Sequence, residues 1–263
     1  MTNKEIEEKI KSHIPNMKKP FVGIKLWKEE PKDVPKFEGT AFPGLCTQIG
    51  ELLMTEGSTF YTTPDQHFCT AGLVAMGVCP RQTDEEFAAA TKTHLVMSKD
   101  SKDFETARRY YRVESEKLCP TPPKENAGVQ VGLFKDVKDA DIVLIFCTPY
   151  QGDVINRAYA YSLGEVIKGY GSHSGCPFIF GGPYVLKEPN FTMGDIEWRG
   201  YVGMDDDEIT FAFPYQSILR FLDDFAESAD DYKERYKMIR LLQYSPPKTP
   251  PMGKWKDGKM QHE

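Results

Sequence analysis

The stretch Ile142-Val143-Leu144-Ile145-Phe146-Cys147, closed by Thr148-Pro149, decides the fold. A continuous apolar run with no polar alternation reads as a central strand, covered on both faces. Immediately after it, residues 151–170 place Val154, Ile155, Ala158, Tyr159, Leu163 and Val166 at helical spacing. A buried strand running into an amphipathic helix points to a sheet covered by helices.

Working outward, 21–27 alternates Val22, Ile24 and Leu26 with smaller or polar residues, and 58–63 is β-branched and aromatic. Residues 128–134 also read as a strand, and 197–202 and 208–214 alternate enough to pair with each other. Helices are expected over 2–14 (Ile6, Ile10 and Ile14 at four-residue spacing), 44–56 and 217–242, the last as one or two pieces. Small residues from His67 to Gly77 suggest a close-packed helix. Residues 83–112 read as helical in two pieces, the first carrying Phe87 and Ala88 to Ala90. The expected fold is α+β or α/β, a mixed sheet covered by helices. It forms a single globular unit over 1–244, with Cys119-Pro120-Thr121-Pro122-Pro123 and residues up to 127 as the best place for an internal boundary. Residues 245–263 are proline- and charge-rich and read as an extended tail; Pro246-Pro247 and Pro250-Pro251 suit docking on a partner or plain flexibility.

The chain has 263 residues, 40% hydrophobic and 27% charged, which excludes wholesale disorder and coiled coil. Its formal net charge of −6 argues against nucleic acid or an anionic membrane surface as partner. The longest apolar run is far short of the roughly 20 residues of a membrane span. The charged start Lys4-Glu5-Ile6-Glu7-Glu8 is unlike a signal peptide, so a cytoplasmic location is expected. In that reducing compartment the 6 cysteines should be thiols or ligands.

Familiar catalytic patterns are missing. There is no phosphate-binding loop, no nucleophile-elbow serine, no HExxH zinc helix, no dinucleotide fingerprint and no CxxC pair. What remains is a scattered set of soft ligands: Cys46, His67, Cys69, Cys79, Cys147, His173 and Cys176. Only His67/Cys69 and His173/Cys176 are close in sequence, each beside glycine or proline in an expected loop. Backbone amides there can approach a ligand or an anionic sulfur. The same helix–glycine–His/Cys order occurs twice, a loose hint of two-half pseudo-symmetry. The functional reading is a cofactor site closed from distant segments through Cys46, His67, Cys69 and Cys176; the plain one is that a cysteine is a small buried hydrophobe. Cys147 ends the central strand and reads as core, while Cys79 and Cys119 read as structural. His13, His94 and His262 read as solvated. Asp65 either orients His67 or caps the following helix. Asp205-Asp206-Asp207-Glu208 lacks the spacing of a calcium loop and reads as a solvated turn. Phe178, Phe180, Tyr184 and Phe191 either wall a pocket or pack.

Several ordered blocks carry a family resemblance. Gly44-Leu45-Cys46 through Glu56-Gly57, Phe60-Tyr61-Thr62-Thr63, His67-x-Cys69 and Ala75-Met76-Gly77 form the first. Asp141 to Pro149, Tyr159-Ala160-Tyr161, Gly175-Cys176, Glu188-Pro189-Asn190 and Gly200-Tyr201-Val202-Gly203 followed by Asp206-Asp207-Glu208 form the second. The chain thereby resembles domain of unknown function family 169, the uncharacterised archaeal conserved region family. The resemblance implies prokaryotic proteins common among anaerobes, with recurring cysteines at the positions of Cys46, Cys69 and Cys176. Where relatives often carry a further cysteine this chain has Gly194-Asp195, so Asp195, His67 or Cys147 would complete a shell. The anaerobe bias favours iron over zinc.

Two functions are expected from this. One is a cytosolic redox or accessory protein holding an iron–sulfur cluster or other metal centre through Cys46, Cys69 and Cys176. The alternative is a metal-free module binding a small molecule in a pocket lined by Phe178, Phe180, Tyr184 and Trp198. The expected partner is a small molecule or a redox protein, with self-association left open.

Overall fold

The structure is a computed structural model that describes residues 1–39, 44–83, 86, 101–113, 118–171, 175–244, 254–256 and 259–261. Its centre is the apolar run: β4 (Ile142–Cys147) is buried at every position. Because successive side chains leave a strand on opposite sides, Ile142, Leu144 and Phe146 enter one core while Val143, Ile145 and Cys147 enter another. Each fully buried side chain of this kind contributes about 1.5–3 kcal/mol of transfer free energy.

Around β4 assemble β1 (Val22–Trp27), β2 (Phe60–Thr62), β3 (Gly128–Leu133), β5 (Lys168–Tyr170), β6 (Asn190–Thr192) and β7 (Ile209–Pro214). They form one sheet in the order β2-β3-β1-β4-β7-β6-β5. All pairings are antiparallel except β5 with β6, so the sheet is mixed. β3, which follows the Cys119–Pro123 loop, lies between β1 and β2, which precede it. Residues on both sides of that loop thus build one sheet. At the β1–β3 pair, Gly23 faces Gly132, and a Cβ on either would fall 2.9 Å from a Val137 side-chain carbon. Two glycines let the turn after β3 lie against the sheet.

Helices cover both faces. On one, α1 (Asn3–His13) starts at a capping box between Thr2 and Glu5 and buries Ile6 and Ile10. The same core receives α5 (Pro149–Leu163), α7 (Tyr215–Phe221) and α8 (Phe225–Tyr244). The other face holds α2 (Leu45–Thr55), the short α3 (Ala71–Ala75), a π-helix over Pro177–Leu186 and α6 (Ile196–Val202). A further helix, α4 (Phe104–Arg112), begins at an Asp103 cap and buries Ala107. Among the described residues no helix is long and apolar enough to cross a membrane.

Three expectations are corrected. Residues 196–202 form a helix and not a strand: Asp195 caps it, accepting from the Trp198 amide, and Gly203 ends it at φ +73°. Its buried residues, Trp198 and Val202, are four apart, a spacing that fits periods of 2 and 3.6 alike. β7 pairs instead with β4 and β6. The helix expected over 151–170 stops at Leu163, where Gly164 takes a left-handed conformation (φ +65°). The small-residue segment 67–77 gives only the short α3, preceded by a 3₁₀ turn at Pro64–Gln66. The first helical piece expected within 83–112, carrying Phe87, lies outside the described residues. In the tail, 254–256 and 259–261 pair as a two-stranded antiparallel ladder.

Candidate functional site

Sequence separation between Cys46 and Cys69 is closed by the backbone. Gly44 and Cys69 form an isolated parallel bridge, which joins the entry to α2 with the entry to α3. The point a Cβ on Gly44 would occupy lies 3.5 Å from Cys46 Sγ and 3.7 Å from Cys69 Cβ. Glycine at 44 therefore leaves a notch the size of one methyl, lined by Cys46, Cys69 and, at 3.9 Å, Thr47 Oγ1. Around it, Thr47 Oγ1 accepts from the Gly44 amide at 3.1 Å and donates to the Gly44 carbonyl at 2.7 Å, which fixes the helix start.

Both cysteines belong to helix entries, where amides lack intrahelical partners. Backbone amides of Thr47 and of Cys46 itself favour the Cys46 thiolate, and the Ala71 amide favours that of Cys69. Burial opposes this and wins: the Cys46 thiol is pushed up to about 12, first by burial and then by the neighbouring Cys69. Cys69 is exposed as a residue, yet its sulfur is crowded enough that burial, aided by Asp195 and Glu197, also holds its thiol above the usual range. Without a bound cation, the pair rests as neutral thiols.

Asp195 ties the third cysteine to this region. Its carboxylate accepts from the Trp198 amide on one oxygen and from the Gly175 amide on the other, at 2.5 Å each. Gly175 immediately precedes Cys176, the residue before the π-helix. The same carboxylate charge is felt at both Cys46 and Cys69. Cys176 is half-buried and, like Cys46, packs against the core of this face. The π-helix is braced on α2 and α3, since a Cβ on Gly72 would touch Leu45 Cδ2 and the Phe180 ring at 3.1–3.2 Å.

His67 is held differently. Its Nε2 shares a 2.7 Å hydrogen bond with the Thr62 hydroxyl, while Nδ1 is buried without a partner. Burial lowers its pKa to about 4, so the imidazole is neutral near pH 7. The Asp65 carboxylate neither caps α3 nor bonds the ring; it accepts from the Thr63 hydroxyl and from Lys36 at 3.2 Å. His173, His94 and His262 lie outside the described residues, and His13 Nδ1 meets Asp230 at 3.2 Å.

Of the residues named to complete a shell, Cys147 is buried in the opposite core, beyond the sheet from Cys46 and Cys176. Cys119 is buried and donates to the Pro177 carbonyl at 3.1 Å, and Cys79 is buried near the end of α3. None of the six cysteines is in a disulfide. Among the described residues no group of three or more His, Cys, Asp or Glu side chains is arranged to hold a metal ion. What is preassembled is the pair Cys46–Cys69, with Asp195 in electrostatic reach.

The aromatic residues pack. Phe180 meets Trp198 edge-on at 5.6 Å, Phe178 stacks on Tyr170 at 4.4 Å, and all but Tyr170 are buried. The Tyr184 hydroxyl donates to Glu125 and accepts from Asn126. Asp205 pairs with Lys18, and the buried Glu208 with Lys19, so the acidic run is an ion-paired turn.

The comparisons with known proteins cover this whole region. The model of the family DUF169, described as Uncharacterised ArCR, matches residues 12–224. The chain belongs to the DUF169 family. The match takes in Cys46, His67, Cys69, Cys176 and Asp195, and every strand of the seven-stranded sheet. The chain is also similar to an uncharacterized protein, MJ0308, of Methanocaldococcus jannaschii, 24% identical over 222 residues that make up 82% of this chain and 89% of that one. No solved structure matches.

The signals that sequence reading passed over are local. Gly44 is the residue that opens the notch, and the Asp195 to Gly203 cap pair would have marked α6 as helix.

Proposed function

We propose that this chain is a cysteine-based cofactor-binding protein, holding an iron–sulfur or other soft-metal centre in a redox or accessory role. Cys46 and Cys69 are the anchoring ligands. The observation that carries this is the Gly44 notch, where Cys46 Sγ and Cys69 Cβ both lie within 4 Å of one point. Cysteine thiolates are the natural ligands for iron of a cluster and for other soft metals. A bound cation would also offset the burial that keeps both thiols protonated, so metal uptake and proton release would be coupled.

The donor set fits in chemistry and is incomplete in geometry. Two thiols and the Asp195 charge are in place; a third ligand requires Cys176 to turn toward the notch from its half-buried position beside Gly175. His67 is the neutral nitrogen candidate, with Nδ1 free of hydrogen bonds. A cluster held there would supply one-electron transfer, and amides at the two helix entries would favour its negative charge.

Anaerobic purification with iron and sulfide analysis and a visible spectrum tests the reading. Metal and sulfide in the wild type, lost in Cys46→Ser and Cys69→Ser and reduced in Cys176→Ser, is the expected result. A colourless, metal-free protein that stays so after reconstitution with iron and sulfide overturns it.

A further inference from the structure

The same notch permits a reaction that needs no metal. We infer that Cys46 and Cys69 form a reversible intramolecular disulfide, making the chain a two-electron dithiol acceptor and donor toward small disulfides. This goes beyond cofactor binding, because it rests only on where the two cysteines sit.

Three features of the site converge on it. First, the Gly44–Cys69 bridge and the α2 entry fix both backbones, so the pair is presented by structured elements. Second, the two cysteines close on one point: a Cβ on Gly44 would fall 3.5 Å from Cys46 Sγ and 3.7 Å from Cys69 Cβ, with Thr47 Oγ1 at 3.9 Å. Third, the two residues differ in exposure: Cys69 is exposed and Cys46 half-buried, with the sulfur of each crowded. That asymmetry assigns an outer cysteine to meet the external disulfide and an inner one to resolve the intermediate.

The steps balance as follows. The Cys69 thiol loses its proton and attacks one sulfur of an external disulfide, R–S–S–R. A Cys69–S–S–R bond forms, the external S–S bond breaks, and one RS⁻ leaves to take up a proton. The Cys46 thiol, deprotonated in turn, attacks Cys69 Sγ, forming the Cys46–Cys69 bond and releasing the second RS⁻. Two electrons pass from the protein to the external disulfide, which is reduced to two thiols. The reverse sequence, with two external thiols, restores the dithiol.

The experiment uses the full chain, stripped of metal with chelator and exposed to oxidised glutathione. Non-reducing digestion and mass spectrometry should find one cross-linked peptide joining Cys46 to Cys69, lighter by two hydrogen atoms than the separate peptides. Cys46→Ser should stop at a glutathione adduct on Cys69, and Cys69→Ser should lose both adduct and cross-link. Gly44→Ala serves as the control that folds: its methyl makes only ordinary contacts, at a backbone φ of −154° that any residue adopts, yet it fills the notch and should abolish the cross-link. Absence of the 46–69 peptide in folded wild type, or a Gly44→Ala chain that cross-links as fast as wild type, overturns the inference. Cys176→Ser separates it from the cofactor reading, because that variant should hold less metal and keep the disulfide.

Discussion

Replacing Gly50 by alanine tests whether the α2–α6 contact holds the site together. A Cβ at 50 would fall 1.8 Å from the Tyr201 carbonyl oxygen, 2.9 Å from its carbon and 3.3 Å from Val202 Cα. All three are backbone atoms, so no side-chain rotation relieves the clash. The helix backbones must move until 1.8 Å becomes at least 3.0 Å, the closest approach that real Cβ atoms show. Overpacking of this kind costs about 1–3 kcal/mol, and a backbone clash belongs at the top of that range. Alanine regains about 1 kcal/mol of helix propensity, which leaves a net loss of about 2 kcal/mol. For a chain of this size that is a fall in Tm of about 4–8 °C. Gly200, in α6 itself, is the internal control: a Cβ there meets nothing within 4 Å. Gly200→Ala should therefore stabilise by about 0.5–1 kcal/mol through propensity alone. Thermal denaturation followed by circular dichroism reads both variants. Equal stabilisation by the two substitutions would refute the close backbone packing of α2 on α6, and with it the placement of Asp195 beside the cysteines.

Other outcomes follow from single side chains. Asp195→Asn keeps one acceptor oxygen for the Trp198 amide, gives up the one that serves Gly175, and removes the charge felt at Cys46 and Cys69; the helix cap should survive while thiolate absorbance develops at lower pH than in wild type. His67 has a folded pKa of about 4 against an ordinary value of 6.5, so as pH falls the unfolded chain takes the proton first. Its contribution is complete above about pH 6.5 and drains away toward pH 4. Between pH 7 and 4.5 wild type should lose about 2 kcal/mol more than His67→Gln by urea denaturation, and an identical acid response in the two would contradict the buried neutral ring. Glu208→Ala removes the partner of the largely buried Lys19 ammonium and an acceptor of the Asp205 amide; a loss of about 2–3 kcal/mol is expected, with the Cys46–Cys69 pair unaffected.

The central architecture was legible because β4 carries its own proof: six apolar residues in a row only make sense with a core on each side. Ile6, Ile10 and Ile14 announced α1 by the same logic of period. α6 was illegible as a helix because Trp198 and Val202 satisfy two periods at once, and only the Asp195 and Gly203 caps break the tie. Of the site, the residue types were readable and their assembly was not. Nothing in the local pattern around Cys46 says that Cys69 crosses Gly44, since that contact is a single backbone bridge between segments 25 positions apart. Cys147 read as core from its place at the end of β4, yet the pattern still left it as a residue that could complete the shell. Which face a cysteine serves depends on strand parity and sheet topology, and these placed Cys147 in the wrong core for a shared shell. The acidic turn was read as solvated, but two lysines from the loop before β1 reach it.

Cobalt(II) offers the most direct test of the shared-notch claim, because a thiolate-to-cobalt charge-transfer band appears only when sulfur binds and its intensity grows with the number of thiolates. Titrating the reduced, full-length chain anaerobically should give that band in wild type. It should weaken in Cys46→Ser and in Cys69→Ser and vanish when both are replaced. A band of undiminished intensity in the double variant, or none in wild type, would contradict the account.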